Sequence, residues 1–398
     1  MIGVIADDLT GAAEIGAVGL RHGLGAEILV GPGFKPLREP RALPGLLCLD
    51  TNSRFCAAAE SMRRAAAAAR FLRRAGVDFI YKKVDSVLRG QVVPEIQAIM
   101  GELDFELALL VPANPSLGRI IRNGHYFIHD EPIHETEFAR DPSHPRKFSD
   151  VLKLLGRPKE ARLHIGQLPE PLPQAGIVVG NVMSSADVKE WAGRKASGIL
   201  AAGGAEFFSC LAAGYVKSLK SLARAHARPK PAASRLACPG SQQLFICGST
   251  SEATRQFIAA QRTLGTPLLS LPPQVAHGGK LTITAAKQIA AAATAALESH
   301  PRIVLHIGLP LIRRATLAKR LSSLLVRIAV LIIEQAPVDH VFVEGGATAI
   351  ELVQAMRVRR LIVLNELAPG VATLAVDSQP QIRLTMKPGS YRWPFEGT

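Results

Sequence analysis

Ile2-Gly-Val-Ile-Ala-Asp-Asp-Leu-Thr-Gly-Ala12 decides the fold class. Five residues, nearly all apolar and rich in β-branched side chains, predict a strand over Ile2–Ala6. Two aspartates follow at once, and a helix is expected from about Gly11 to His22. A strand that meets carboxylates and then turns into a helix is the opening of a β-α unit. In open α/β sheets, ligands bind beyond the carboxyl ends of the strands. Asp7 and Asp8 therefore stand where chemistry is expected. A pair of adjacent carboxylates there can hold a metal, accept hydrogen bonds from hydroxyls, or serve as a base. One of them can also cap the following helix.

The rhythm continues outward from this stretch. Ala26–Val30, Leu46–Leu49, Val77–Tyr81 and Leu107–Val111 read as strands, and Ala57–Arg74 reads as an Ala-rich helix stopped by Gly76. Such β-α-β-α alternation predicts a mostly parallel sheet covered by helices. Around Asn123-Gly124 a turn is expected, with His125–Ile128 and Pro132–Thr136 as the arms of a hairpin or a long loop. Further strands are expected at Ile177–Val179 and Ile199–Leu200. The stretch Arg224–Ser241 holds three prolines among small and basic residues and reads as a linker. The rhythm then restarts at Leu244–Cys247, Pro267–Leu271, Ile303–Ile307, His340–Val343, Leu361–Leu364 and Gln381–Thr385. The expected architecture is α/β in two lobes, each a mostly parallel sheet covered by helices, with a cleft between them. The lobes are residues 1–223 and 242–398, joined by 224–241.

Composition narrows the function. Nearly half of the 398 residues are hydrophobic, so a large core is available. The net charge of +14 invites a nucleic-acid reading, but the basic residues are scattered and only Lys217–Lys230 is locally enriched, with few aromatics for base stacking. A positive field also steers anionic small molecules, so no nucleic-acid partner is expected. Five cysteines without a CxxC fit neither a zinc site nor a disulfide framework. Met1–Asp8 lacks the basic start of a secretory leader, and no apolar run reaches the roughly 18 residues of a membrane span. A cytoplasmic protein with reduced thiols and no membrane partner is expected; homo-oligomerisation is left open.

Several later segments repeat the pattern of polar residues after a strand. Asp50-Thr51-Asn52-Ser53-Arg54 is one, and Tyr81-Lys82-Lys83-Val84-Asp85-Ser86-Val87-Leu88-Arg89-Gly90 is another. The second supplies both cations for a carboxylate and acceptors for hydroxyls. Pro112–Arg119 reads as a rigid loop, with Arg119 available to an anion. In the second half, Gly248-Ser249-Thr250-Ser251 and Glu344-Gly345-Gly346-Ala347-Thr348 each precede a helix, over Glu252–Arg262 and Ala349–Met356. Glycine lets backbone approach an anion, and a helix N-terminus offers free N–H groups. Lys387, after the last strand, is a candidate point charge for phosphate. There is no GxxxxGK[ST] loop and no GxGxxG fingerprint. His125, His129 and His134 read as loop or core histidines, and no metal ligands are assigned.

Taken in order, these segments resemble the four-carbon acid sugar kinase family. The resemblance rests on Asp7–Ala12, Asp50–Arg54, Lys82–Ser86 with Arg89-Gly90, Pro112–Arg119 and Asp141-Pro142. It continues through Gly248-Ser249, Gly345–Thr348, Glu366–Gly370, and Lys387 with Gly389. It implies a sugar-acid domain followed by a nucleotide domain, and ATP-dependent phosphorylation, usually on the terminal hydroxyl, of threonate, erythronate or 3-oxo-tetronate. It further implies ATP contacts at Ser249, Gly345–Thr348 and Gly389, and a sugar-acid end formed by Asp8, Ser53, Arg54, Lys82, Asp85 and Arg89. Asp7, Thr10, Lys83 and Arg119 are added as substrate-binding candidates from their places in the same segments. Asp8 and Asp85 are the candidate bases, and Mg²⁺ is expected to bridge phosphate oxygens. Ala347 stands where the family usually has an acidic residue. It motivates the alternative of a non-catalytic nucleotide or sugar-acid binder on the same scaffold.

Overall fold

The computed structural model describes residues 1–34, 44–141, 144–156, 161–222, 241–249, 251–277, 279–308, 315–389 and 391–395. The expected linker 224–241 lies, apart from Ser241, outside the described residues. So do Cys238, Pro142, Thr250 and Ser390. The chain divides into two compact units, Met1–Pro231 and Ala232–Thr398.

The first unit runs β1 Ile2–Ala6, α1 Leu9–Arg21, β2 Ala26–Val30, β3 Leu46–Asp50, α2 Ala58–Arg74, β4 Phe79–Lys83, α3 Val92–Leu103 and β5 Leu107–Val111. It continues with β6 Arg119–Arg122, β7 His125–Ile128, β8 Glu131–Pro132, α4 Val151–Leu154, β9 Leu163–Gly166, β10 Gly176–Gly180, α5 Ser185–Gly193, β11 Ile199–Gly203 and α6 Ala205–Leu222. Its main sheet has the order β2-β3-β1-β4-β11-β5-β10-β9, and every pair in it is parallel. The central strands are enclosed on both faces, which is why β1, β3 and β5 carry almost nothing but apolar residues. From β1 the chain winds to one side through β2 and β3, then crosses to β4 on the other. β1 is thus the switch point of the sheet.

β6, β7 and β8 form a separate antiparallel sheet. The Asn123-Gly124 turn joins its first two strands, with both residues at positive φ (51° and 73°). Such a pair suits the twist of a two-residue hairpin, and glycine takes the second position at no steric cost. The expected arm Pro132–Thr136 is only partly a strand. It ends at Pro132, and Thr136 instead caps a short 3-10 turn over Glu137–Arg140.

The second unit runs β12 Gln243–Cys247, α7 Glu252–Thr263, β13 Leu268–Ser270, α8 Ile283–Ser299, β14 Arg302–His306, α9 Ala315–Gln335, β15 His340–Glu344 and α10 Gly346–Ala355. Three long strands end it: β16 Arg360–Ala368, β17 Val371–Val376 and β18 Gln379–Lys387. Within the unit the order is β13-β14-β12-β15-β18-β17-β16. The first five strands are parallel, while β16, β17 and β18 form an antiparallel meander. Both sheets are thus mostly parallel, as expected. β17 is an addition: Pro369-Gly370 makes a tight turn after β16, and the chain returns at once as Val371–Val376. The core gathers Phe245, Phe257, Phe342 and Trp393, with Phe245 and Phe342 stacked 4.3 Å apart on adjacent strands. No helix among the described residues is long and apolar enough to cross a membrane.

Candidate active site

Parallel pairing brings the dispersed motifs of the first unit together. β3, β1 and β4 are neighbours, and their last residues align: Ala6 lies opposite Asp50 on one side and Lys83 on the other. Whatever follows these strands emerges on one edge. Asp7 and Asp8 follow β1, Ser53 and Arg54 follow β3, and Asp85 and Arg89 follow β4.

Arg54 is the hub. Its Nε and one terminal nitrogen donate to Asp7 at 2.7 and 2.9 Å; its terminal nitrogens also donate to Asp8 at 2.6 and 2.9 Å. Asp85 lies 3.7 Å away. Such forked, charge-assisted pairs fix both partners in orientation. The backbone helps, because the amides of Ser53 and Arg54 both donate to the Asp7 carbonyl. Asp8 also accepts the Gly11 amide at 2.8 Å and so caps α1. The capping role expected of one of the pair therefore falls on Asp8. Asp7 is nearly enclosed, whereas the Asp8 side chain keeps 18% exposure.

These settings separate the carboxyls. Burial pushes Asp7 up, but Arg54 and Lys82 outweigh it and hold Asp7 below the usual range. Burial raises Asp8, and the neighbouring Asp7 charge adds to it against Arg54, leaving Asp8 above that range. Burial also opposes ionisation of Asp85, yet the charges of Arg89 and Arg54 hold it well below. Asp85 accepts both arms of Arg89, at 2.9 and 2.8 Å, and the amides of Val87 and Arg89.

The lysines are engaged elsewhere. Lys82 is buried against Glu95 at 2.6 Å, and Ser53 donates to the other oxygen of Glu95 at 2.6 Å. Lys83 pairs with Glu14 at 3.0 Å and donates to the Val84 carbonyl. Arg89 reaches Asp141 at 3.2 Å. Arg119 donates to Ser86 Oγ and lies over the Phe138 ring; among the described residues it carries no carboxylate. Among the polar atoms buried at this edge with no hydrogen-bond partner are Thr10 Oγ1, Asp50 Oδ2 and His144 Nε2.

Sequence reasoning missed Glu14, Glu95, His144 and Arg146. The signal for Glu95 was present. It falls among Val92, Val93, Ile96 and Ile99 on the buried face of α3, where a lone carboxylate needs a partner. Arg146 is buried and donates to the carbonyls of His144 and Leu88, both at 2.9 Å.

The second unit repeats the device. β12, β15 and β18 are neighbours, with Cys247, Glu344 and Lys387 aligned at their ends. The loops that follow carry Ser249, Gly345 and Gly389. A Cβ added to Gly389 would sit 3.1 Å from Ser249 Oγ and 3.9 Å from the Gly345 Cα, so the three loops converge. Ser251 caps α7 and donates to the Gly389 carbonyl at 2.8 Å. The helix after Gly345 begins at Gly346, earlier than expected, so Gly346, Ala347 and Thr348 form its first turn. No side chain caps it, and Ala347 is exposed. An uncapped N-terminus reached by two glycine-bearing loops fits an anion such as a phosphate.

The Thr348 hydroxyl turns inward to Ser322, at 2.8 Å. Lys387 is also enclosed: it pairs with Glu344 at 3.3 Å and donates to the Tyr391 carbonyl at 2.5 Å. Burial raises the Glu344 carboxyl, with Lys387 acting against it. Among the described residues no group of three or more His, Cys, Asp or Glu side chains is arranged to hold a metal ion.

Gly345 sits at φ 93°, a region that L side chains rarely adopt. Gly345→Ala is expected to strain the turn by about 1–3 kcal/mol. ATP affinity should then fall by roughly tenfold or more. Isothermal titration with ATP measures this, and unchanged affinity would remove the α10 turn from the nucleotide site.

Known proteins match both halves. Residues 2–219 match the family described as the sugar-binding N-terminal domain, and 244–391 match the nucleotide-binding C-terminal domain. The D-threonate kinase of Bordetella bronchiseptica is 35% identical over 206 residues, which is 50% of this chain and 50% of that enzyme. The match therefore spans half the length of that relative. The 3-oxo-tetronate kinase of Cupriavidus necator is 25% identical over 425 aligned positions, covering 99% of this chain and 95% of that one. A Haemophilus influenzae crystal structure from a family of unknown function superposes with a TM-score of 0.70 at 20% identity, over 97% and 96% of the two chains, which shows the common fold. With its sugar-binding half followed by its nucleotide-binding half, the chain belongs to the four-carbon acid sugar kinase family.

Proposed function

We propose that the chain is an ATP-dependent kinase that phosphorylates a hydroxyl, preferably the terminal one, of a four-carbon sugar acid such as threonate, erythronate or 3-oxo-tetronate. The observation that carries this reading is Asp8. It is the most open carboxylate of the Asp7–Asp8–Asp85 cluster, fixed by Arg54 and raised above the usual range. Of the two candidate bases we assign the role to Asp8. Asp85, saturated by Arg89 and two amides, is too weak a base and instead orients Arg89.

Bound ATP, with Mg²⁺, would supply the phosphoryl group. The chain's residues supply the rest. Asp8 accepts the proton of the attacking hydroxyl, while Arg54 and the Gly11 amide hold its carboxylate in place. Thr10 Oγ1, buried without a partner, hydrogen-bonds a substrate hydroxyl. Arg119 offers its positive charge to the substrate carboxylate. Backbone amides at Gly346, Ala347 and Thr348, with Ser249 and Gly389 alongside, receive the phosphates. A general base contributes about 10²–10⁴-fold. Positioning and charge stabilisation supply most of the remainder.

A coupled ADP-release assay with Mg-ATP tests the reading against tetronates, 3-oxo-tetronates and larger aldonates. ADP release dependent on one acid is expected. Exposed Ala347 supports a second reading, a non-catalytic binder. Thermal stabilisation by ATP with no turnover on any acid would favour it, and absence of ATP binding would sink the kinase reading and leave only a sugar-acid binder.

A further inference from the structure

Asp50 is the last residue of β3, and its side chain is fully enclosed. Oδ1 accepts the Asn52 amide at 2.8 Å. Oδ2 is buried with no hydrogen-bond partner. The bond from Asn52 closes a tight turn in which Asn52 adopts φ 46°, and two residues later the chain delivers Arg54. Thr51 fixes the same turn from the other side, donating its amide and its hydroxyl to the Ala6 carbonyl at 2.9 Å.

The charged groups around Asp50 are nearly all accounted for. After β1 come Asp7 and Asp8, both negative. Arg54, in its own turn, has its guanidinium committed to those two. From α2, Arg64 donates to the Thr51 and Asn52 carbonyls and pairs with Glu60. The adjoining end of β2, at Val30 and Gly31, carries no charge. Among the described residues, a third carboxylate here would be buried beside two like charges with no cation left for it.

We infer that Asp50 works as a neutral carboxylic acid, and that its bond to Asn52 makes it the positioning residue that sets Arg54 against Asp7 and Asp8. Burial, with the charges of Asp8 and Asp7 adding, pushes the Asp50 carboxyl up to about 8. Above that pH an uncompensated negative charge appears under the turn. Arg54 is then drawn toward it, and Asp8 loses part of its support. The activity arm of the test rests on the kinase reading; the stability arm does not.

Thermal unfolding of the wild type and of Asp50→Asn between pH 5 and pH 9 reads the proton directly. In the unfolded chain Asp50 ionises near 3.8, in the folded chain near 8. Between these values only the folded state holds the proton, so this group's contribution to stability falls as pH rises and levels above pH 8. Asn mimics the protonated acid at every pH. The Tm of Asp50→Asn relative to wild type should therefore climb by on the order of 5–10 °C from pH 5 to pH 8, then stay constant. A difference independent of pH overturns the inference.

In the ADP-release assay, wild-type turnover should decline above about pH 8. The Asp50→Asn variant should lack that limb. An identical alkaline limb in both proteins would overturn the positioning role. If Asp50→Asn does not fold, carbon-13 NMR of labelled aspartate carboxyls in the wild type decides the protonation state; a buried carboxyl titrating in the ordinary range would refute it. Wild-type silence in the assay would count against the kinase reading alone, since unfolding still reports on Asp50.

Discussion

Asp8→Asn lowers turnover by about 10²–10⁴-fold while ATP still binds. The substitution keeps the shape of the side chain and its bond from the Gly11 amide, so α1 keeps its cap. It removes the carboxylate proposed as the base. The wild-type rate should rise with pH on the acid side, because the ionised form is the active one. That limb should lie above the ordinary carboxylate range, since burial and Asp7 both raise Asp8. Rapid-quench turnover and the pH profile of kcat measure the two effects. A variant within tenfold of wild type would move the base elsewhere. An Asp85→Asn variant makes the contrast: its effect should fall on substrate binding through Arg89 rather than on the acid limb.

Arg54→Met is expected to destabilise the first unit by about 3–5 kcal/mol. The hub guanidinium is 10% exposed and neutralises two carboxylates at once. Methionine fills part of the volume but leaves Asp7 and Asp8 facing each other in a buried site. Urea unfolding of the variant measures the loss. Adding Asp7→Asn to Arg54→Met should recover part of it, because one uncompensated charge is removed with the same packing. An Arg54→Met protein as stable as wild type would mean that the cluster is open to water.

Much of this was legible in the sequence. The strand that ends at Ala6, the two aspartates and the helix behind them are a local pattern, and local patterns survive folding. The polar segments after Asp50, Lys83, Cys247 and Glu344 were found for the same reason. What the sequence did not reveal is how charge is shared. Lys82 and Lys83 are adjacent and alike on paper. In the fold they point to opposite faces of β4, one to Glu95 on α3 and the other to Glu14 on α1. Strand alternation foretells opposite faces, but the partners are set by helices packed from distant parts of the chain. Likewise Arg54 was expected at the sugar-acid end, and in the fold its guanidinium is engaged by Asp7 and Asp8. The return strand Val371–Val376 was missed because its hairpin turn is only two residues long and the flanking runs are both apolar.

The aligned ends of β1, β3 and β4 have a further consequence for how such a protein can change over generations. Five side chains of the cluster start within four residues of the last ladder position: Asp7 and Asp8 after Ala6, Ser53 and Arg54 after Asp50, Asp85 after Lys83. The ladder acts as a fixed datum line, and a one-residue slip in it would turn every side chain of the strand to the wrong face. Segments farther along each loop are not tied to that line. Lengthening or replacing them alters what approaches the cluster without moving the cluster itself. Loop exchange can therefore change what reaches the cluster, while a change at the strand ends would move the cluster itself.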